Sequence, residues 1–136
     1  MSERTAVLFA NEALYAAFAS RDVDAMDALW ARHCPVSVIH PGWKLVSGRE
    51  AVMRSWQSIL ANTGMPEITC HRAEANVIGD MAVVTCYEEI GGAVLSASNI
   101  FVRENGHWRL VHHQAGPCNE PPALDEEDDE APSRMQ

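Results

Sequence analysis

SNIFVRENGHWRLVHHQAGP, residues 98–117, decides the fold. Two runs of alternating character flank Asn105-Gly106, a dipeptide suited to the positive φ angles of a two-residue hairpin turn. If that turn closes the hairpin, Glu104 pairs with His107. Counting back then sets Phe101 opposite Leu110 and Asn99 opposite His112. Neighbours on a strand point to opposite sides, so only one of His112 and His113 can face inward. The count predicts an inner face of Trp108, Leu110, His112 and Gln114 with Asn99 and Phe101, and an outer face of His107, Arg109, Val111 and His113.

The same logic extends upstream. Gly91-Gly92 and Gly79-Asp80 are further tight-turn signals, which predicts four strands near 67–78, 81–90, 93–104 and 107–116. Through Gly91-Gly92, Val84 falls opposite Asn99, placing Cys86 and Glu88 on the inner face and Tyr87 on the outer one. The long meander is preceded by helical patterns. ERTAVLFANEALYAAFAS brings Asn11, Leu14, Tyr15 and Phe18 to one helix face. Asp22 is a candidate N-cap for a short second helix with Met26, Leu29 and Trp30 as its apolar stripe. Ser47 and Glu50 read as a capping box for a third, which carries Val52, Met53, Trp56, Ile59 and Leu60. Between these helices, CPVSVIHPGW at 34–43 alternates like a strand, with His40 at its end before the Pro41-Gly42 turn and Trp43.

Helices followed by a meander predict an α+β domain: a curved antiparallel sheet wrapped around three helices, forming a cone whose mouth suits a small molecule. The 136 residues suffice for one domain, placed at 1–118, and 47% hydrophobic against 21% charged residues is the balance of a folded soluble protein. The formal charge of −9 is uneven, since residues 119–136 hold seven acids and one base; these read as an acidic, proline-containing solvated tail. Only ten Lys and Arg are present, unclustered, which argues against nucleic acid. No apolar run reaches membrane-spanning length and no leader is recognisable, so the expected location is cytoplasmic, without membrane contact. Cys34, Cys70, Cys86 and Cys118 are scattered without a CxxC pair and read as free thiols.

ALYAAFASRDVDAMDALWA, VSVIHPGWKLVSGREAVMRSW and SNIFVRENGHWRLVHHQAGP together resemble the nuclear transport factor 2-like superfamily and, within it, the SnoaL-like bacterial proteins related to ketosteroid isomerase. The resemblance covers residues 5–117. It implies a cone-shaped (cystatin-like) roll, a homodimer through the outer sheet face and a pocket inside the cone. Carried over residue by residue, the isomerase's general-base aspartate falls on His40, its oxyanion aspartate on Asn99, and its oxyanion tyrosine on Leu14, one place before Tyr15. These departures argue against steroid isomerisation by the usual route. The fold hosts isomerases, dehydratases, cyclases and kinase association domains, so it does not by itself assign a function.

The expected function is binding of a small, largely apolar ligand in the cone, with acid/base chemistry on a carbonyl compound as the catalytic extension and no cofactor. His40 would move the proton, Asn99 would stabilise an oxyanion, and His112 would complete the polar set. Trp43, Trp56, Tyr15, Cys86, Glu88, Phe101, Leu110 and Gln114 are the expected pocket walls, with Trp108 nearby. His40, His112 and Glu88 are suitable metal ligands by type, but they lack a ligand spacing, and no metal site is expected. The rival reading is a noncatalytic dimerisation or association module.

Overall fold

A computed structural model describes residues 2–124. The elements run α1 (Glu3–Ser20), α2 (Val23–Leu29), β1 (Ser37–Ile39), β2 (Val46–Ser47), α3 (Arg49–Ala61), β3 (Ile68–Ile78), β4 (Met81–Ile90), β5 (Ala93–Glu104) and β6 (His107–Pro117). Residues 125–136, most of the expected tail, lie outside the described range.

The strands form one six-stranded sheet in the order β2-β1-β6-β5-β4-β3. The meander β3 to β6 is antiparallel and its turns fall at the three predicted dipeptides. The sheet as a whole is mixed, because β1 runs parallel to β6, with Ser37 opposite His112 and Ile39 opposite Gln114. The short β2 was not foreseen; two residues carry too little alternation to register as a strand.

α1 starts from a Ser2 cap that accepts the Thr5 N–H at 3.1 Å. It buries Val7, Asn11, Leu14, Tyr15 and Ala17 against the sheet, mainly over β3. Met26 and Trp30 from the α2 segment, Val52 and Trp56 from α3, and Val84, Phe101 and Leu110 from the sheet complete the core. Phe101 and Leu110, expected as pocket walls, are fully buried core residues.

The start of α3 differs from expectation. Its N-cap is Gly48, with no side-chain hydrogen bond, while Ser47 belongs to β2, so the Ser47–Glu50 capping box does not form. The helix is anchored instead by Arg49. Its guanidinium donates to the carbonyl oxygens of Trp30, Ala31 and Asp27 at 3.0, 3.0 and 2.8 Å and to the Asp27 carboxylate at 2.9 Å. Arg49→Ala is expected to lower the unfolding free energy by about 2 kcal/mol, since it strands several carbonyls at once. Arg49→Lys should recover only part of that, because an ammonium cannot reproduce the planar fork. Urea denaturation of both variants checks this.

The register of β5 on β6 follows the count as far as Phe101 opposite Leu110 and then shifts by a bulge. Val111 is the extra residue. Beyond it Ile100 pairs with His112 and Asn99 with His113, so the histidines exchange faces relative to expectation. His113 and Ala115 turn inward; Gln114 turns out to solvent.

Candidate functional site

The inner face of the sheet carries a row of polar side chains in an otherwise apolar interior. Asn99 sits at its centre with no exposed surface. Its amide nitrogen donates to Asn11 Oδ1 at 2.8 Å and to the Tyr15 hydroxyl oxygen at 3.2 Å. Its carbonyl oxygen lies 2.5 Å from His113 Nδ1. Because that amide oxygen can only accept, His113 carries its proton on Nδ1 and presents a lone pair at Nε2. Nε2 faces Glu88 Oε2 at 3.9 Å, beyond direct hydrogen-bond length. Tyr15 closes the network by donating to the same Glu88 oxygen at 2.6 Å, and its oxygen lies 3.4 Å from Cys86 Sγ.

Each group is pushed toward its neutral form. Burial presses His113 down to about 3, with the neighbouring His40 adding to the effect. Burial raises the Glu88 carboxyl above the ordinary range, against the opposing pull of the Tyr15 hydrogen bond. Tyr15 is driven far above its usual value, by burial first and the Glu88 charge second, so it is a proton donor at neutral pH.

His40 ends the β1 segment and is buried. Its Nε2 lies 2.9 Å from Ser55 Oγ, and that hydroxyl donates to the Val52 carbonyl at 2.7 Å. The Ser55 oxygen therefore accepts from Nε2–H, leaving Nδ1 of His40 unprotonated. Burial lowers His40 to about 4. The ring is held edge-on between Trp43 and Trp56, at centroid distances of 4.8 and 4.7 Å, and lies 6.3 Å from His113. Trp43, on the turn whose Gly42 takes a φ of 82°, is 44% exposed and covers His40 from solvent. Trp56 is buried with its indole N–H unpartnered among the described residues.

The network reaches the surface on the other side. Asn11, Tyr15 and Cys70 line a cleft of about 510 Å³ between α1 and β3, together with Leu8, Glu12, Ile68, Thr69, Arg72 and Ala73. Its size suits a small organic ligand, and its lining mixes apolar Leu8, Ile68 and Ala73 with polar or charged Asn11, Glu12, Tyr15, Thr69 and Arg72.

Of the expected site residues, the structure brings His40, Asn99, Tyr15, Glu88, Cys86 and Trp56 to the inner face, with Trp43 as a cover. It does not bring His112 or Gln114. His112 instead pairs through Nδ1 with Ser37 Oγ at 2.7 Å, and Gln114 lines a shallow depression on the outer face with Ser96 and Ser98. Tyr15, not Leu14, reaches Asn99. Three participants were missed: His113, Asn11 and Ser55. Asn11 had a signal, a polar side chain on the apolar face of the first helix. His113 had none, since the bulge at Val111 leaves no mark in the alternation. Among the described residues, no cluster of three or more His, Cys, Asp or Glu side chains is arranged to hold a metal ion.

The SnoaL-like domain profile matches residues 7–118, nearly the whole described chain. The chain belongs to the SnoaL-like family. Among solved structures, this SnoaL-like chain is similar to a candidate dehydratase of the NTF2-like family from Streptomyces avermitilis, 32% identical, with a TM-score of 0.79 over 85% of this chain and 96% of that one. A candidate association domain of calcium/calmodulin-dependent protein kinase type II from Thiobacillus denitrificans is also 32% identical, with a TM-score of 0.69 over 81% and 93% of the two chains. The F-box protein SKIP8 of Arabidopsis thaliana is 30% identical over 81% of this chain, which spans about half (48%) of that plant protein. No helix among the described residues is long and apolar enough to cross a membrane.

Proposed function

We propose that this SnoaL-like protein binds a small, largely apolar carbonyl compound in the cleft between α1 and β3 and moves protons on it. The observation that carries this reading is the cleft wall itself: Tyr15, a neutral phenol, is backed by a buried carboxyl at 2.6 Å and stands at the only polar row in the core that meets the cleft among the described residues.

Tyr15 is the group suited to a developing oxyanion. Asn99 spends its amide N–H groups on Asn11 and Tyr15, so its part is to position them. A ligand oxygen in the cleft draws the Tyr15 O–H away from Glu88, and a Glu88 carboxyl that has taken up a proton donates to the Tyr15 oxygen in its place. Transfer along this chain moves one proton from Glu88 through Tyr15 to the ligand and leaves the charge on the Glu88 carboxylate. His113 stays neutral; its Nδ1–H on the Asn99 oxygen fixes the amide whose nitrogen donates to Asn11 and Tyr15, so its part is to position Tyr15. His40 lies outside this cleft, and its role is to hold the inner end of the row beside His113. The dehydratase similarity at 32% identity supports an acid/base reading of this kind.

The association-domain similarity, equal in identity, supports a second reading as an assembly module built on the outer sheet face, where Val94, Ile100 and Val102 stay half-buried in the single chain. A homodimer through that face is compatible with ligand binding and is part of the proposal.

Isothermal titration with bicyclic enones and phenols, read alongside NMR detection of deuterium exchange next to the carbonyl, tests the reading. Wild type is expected to bind and to exchange. Tyr15→Phe should weaken binding about 5-fold, the loss of one neutral hydrogen bond, and abolish exchange. Leu8→Trp, which fills the cleft, should abolish both. Binding that ignores both substitutions would place the ligand elsewhere.

A further inference from the structure

Neither thiol beside the polar row is needed by the proposed chemistry, yet the two are set against each other. Cys70 on β3 lies opposite Glu88, and Cys86 is two residues further along β4, on the same helix-facing side. The register between them is broken by a bulge between His71 and Glu74, which leaves Cys86 facing Arg72 and Ala73 instead of a paired residue. The two thiols therefore sit diagonally across that gap on one face of the sheet, beside the same Tyr15–Glu88 pair. Asn11 Nδ2 donates to Cys70 Sγ at 3.8 Å, and Cys86 Sγ lies 3.4 Å from the Tyr15 oxygen. Both cysteines are free.

Access is available to each sulfur from a different side. Cys70 is part of the wall of the cleft between α1 and β3. Cys86 borders a second depression, with Glu74, Thr85, Tyr87, Ser96 and Ala97. A small reagent can therefore meet one thiol while the other lies beside it on the same sheet face.

We propose that Cys70 and Cys86 form a reversible dithiol–disulfide site in the wall of the ligand cleft, closed by exchange with a low-molecular-weight disulfide. The Cys86 thiolate attacks the small disulfide, forming a mixed disulfide and releasing one small thiolate. Cys70 gives its proton to the small thiolate just released, attacks the Cys86 sulfur, forms the intramolecular bond and releases the second small thiolate. The protein loses two thiol hydrogens and two electrons, and the small disulfide is reduced to two thiols. Assignment of Cys86 as the attacking group agrees with the opposite directions of the two thiols: interaction with Cys70 holds Cys86 below its ordinary value, while the same interaction and burial push Cys70 up. The bond ties β3 to β4 across the bulge and takes the Cys70 thiol out of the cleft wall, so ligand binding there becomes dependent on redox state. That last consequence rests on the proposed cleft; the bond itself does not.

The full chain treated with glutathione disulfide, alkylated and cut with trypsin tests the site cleanly, because each cysteine falls in its own peptide: Cys34 in 33–44, Cys70 in 55–72, Cys86 in 73–103 and Cys118 in 110–134. Mass spectrometry is expected to find 55–72 joined to 73–103, with Cys34 and Cys118 alkylated or carrying single glutathione adducts. In a mixture of labelled and unlabelled protein the joined peptides should share one label. Cys70→Ser should stop at a glutathione adduct on Cys86. The proposal is overturned if fully modified wild type shows no 55–72 to 73–103 link, or if the link mixes labels and so joins different chains. Cleft function that stays lost in the reduced protein would count against the ligand reading and leave the bond standing.

Discussion

Asn99→Leu is expected to lower the unfolding free energy by about 3–5 kcal/mol at neutral pH. Leucine keeps the branching and the number of heavy atoms, so the loss comes chiefly from the polar groups left unpaired. Asn99 is fully buried and contacts three polar partners, His113, Asn11 and Tyr15. Substitution leaves the His113 N–H and the Asn11 carbonyl oxygen facing an apolar side chain, and each stranded buried group costs about 1–3 kcal/mol. His112→Ala makes the contrast. That residue is partly exposed and has one bond, to Ser37, so its loss should be about 1 kcal/mol. His113→Ala should resemble Asn99→Leu. Urea denaturation of the three variants therefore reads the register of the last hairpin: comparable losses at His112 and His113 would contradict the bulge at Val111.

Acid is expected to destabilise the protein well before its surface carboxylates are protonated. Burial holds His40 at about 4 and His113 at about 3 in the folded state, whereas an unfolded histidine titrates near ~6.5. Their stabilising contribution is fully present above ~6.5. As pH falls below that, the unfolded chain binds protons that the folded one refuses, and stability drops until the folded values are passed. Each histidine gives a slope of about 1.4 kcal/mol per pH unit within its window. Glu88 acts in the opposite sense. Its raised pKa means that the folded state takes up a proton there before the unfolded state does, which offsets up to one histidine. The net expectation near pH 5 is a slope of about 1.4–2.7 kcal/mol per pH unit. Urea midpoints measured from pH 7 to 4.5 give the slope directly, and a flat profile between 7 and 5 would show that the histidines are not buried neutral.

Much of this architecture could be read from the chain because its decisive signals are local. Gly79-Asp80, Gly91-Gly92 and Asn105-Gly106 each set a hairpin whose register propagates by counting, which is why Val84 opposite Asn99 and Phe101 opposite Leu110 came out as counted. The count failed one residue later. Val111 bulges where β6 must pair with β5 on one side and the short parallel β1 on the other, a demand set by tertiary structure. Parallel pairing of β1 with β6 has no turn to announce it. Gly48 displaced Ser47 as the cap of α3 because Ser47 was recruited into β2, another non-local choice.

The candidate site was legible to the same depth. Glu88 and Cys86 were placed on the inner face by parity alone, and both are buried there. The resemblance puts the family's oxyanion tyrosine on Leu14, roughly 100° around the helix from Tyr15; the packing of α1 on β3 brings Tyr15, an expected pocket wall, to Asn99. His112 was preferred to His113 on the strength of an unbroken alternation. The correction moves the imidazole that meets Asn99 by one residue, and with it the chemistry moves from the His40 end of the cone toward Tyr15 and Glu88.

The protonation of His113 tests the central claim most directly. Long-range proton–nitrogen NMR correlation of selectively labelled histidine, followed from pH 7.5 downward, distinguishes the two ring nitrogens. The account predicts that His113 is neutral, protonated at Nδ1 toward Asn99 with Nε2 bare toward Glu88, and that it stays so until the pH approaches 4. A His113 that carries its proton on Nε2, or that titrates near the ordinary ~6.5, would contradict the buried network that positions Tyr15 for the proposed function.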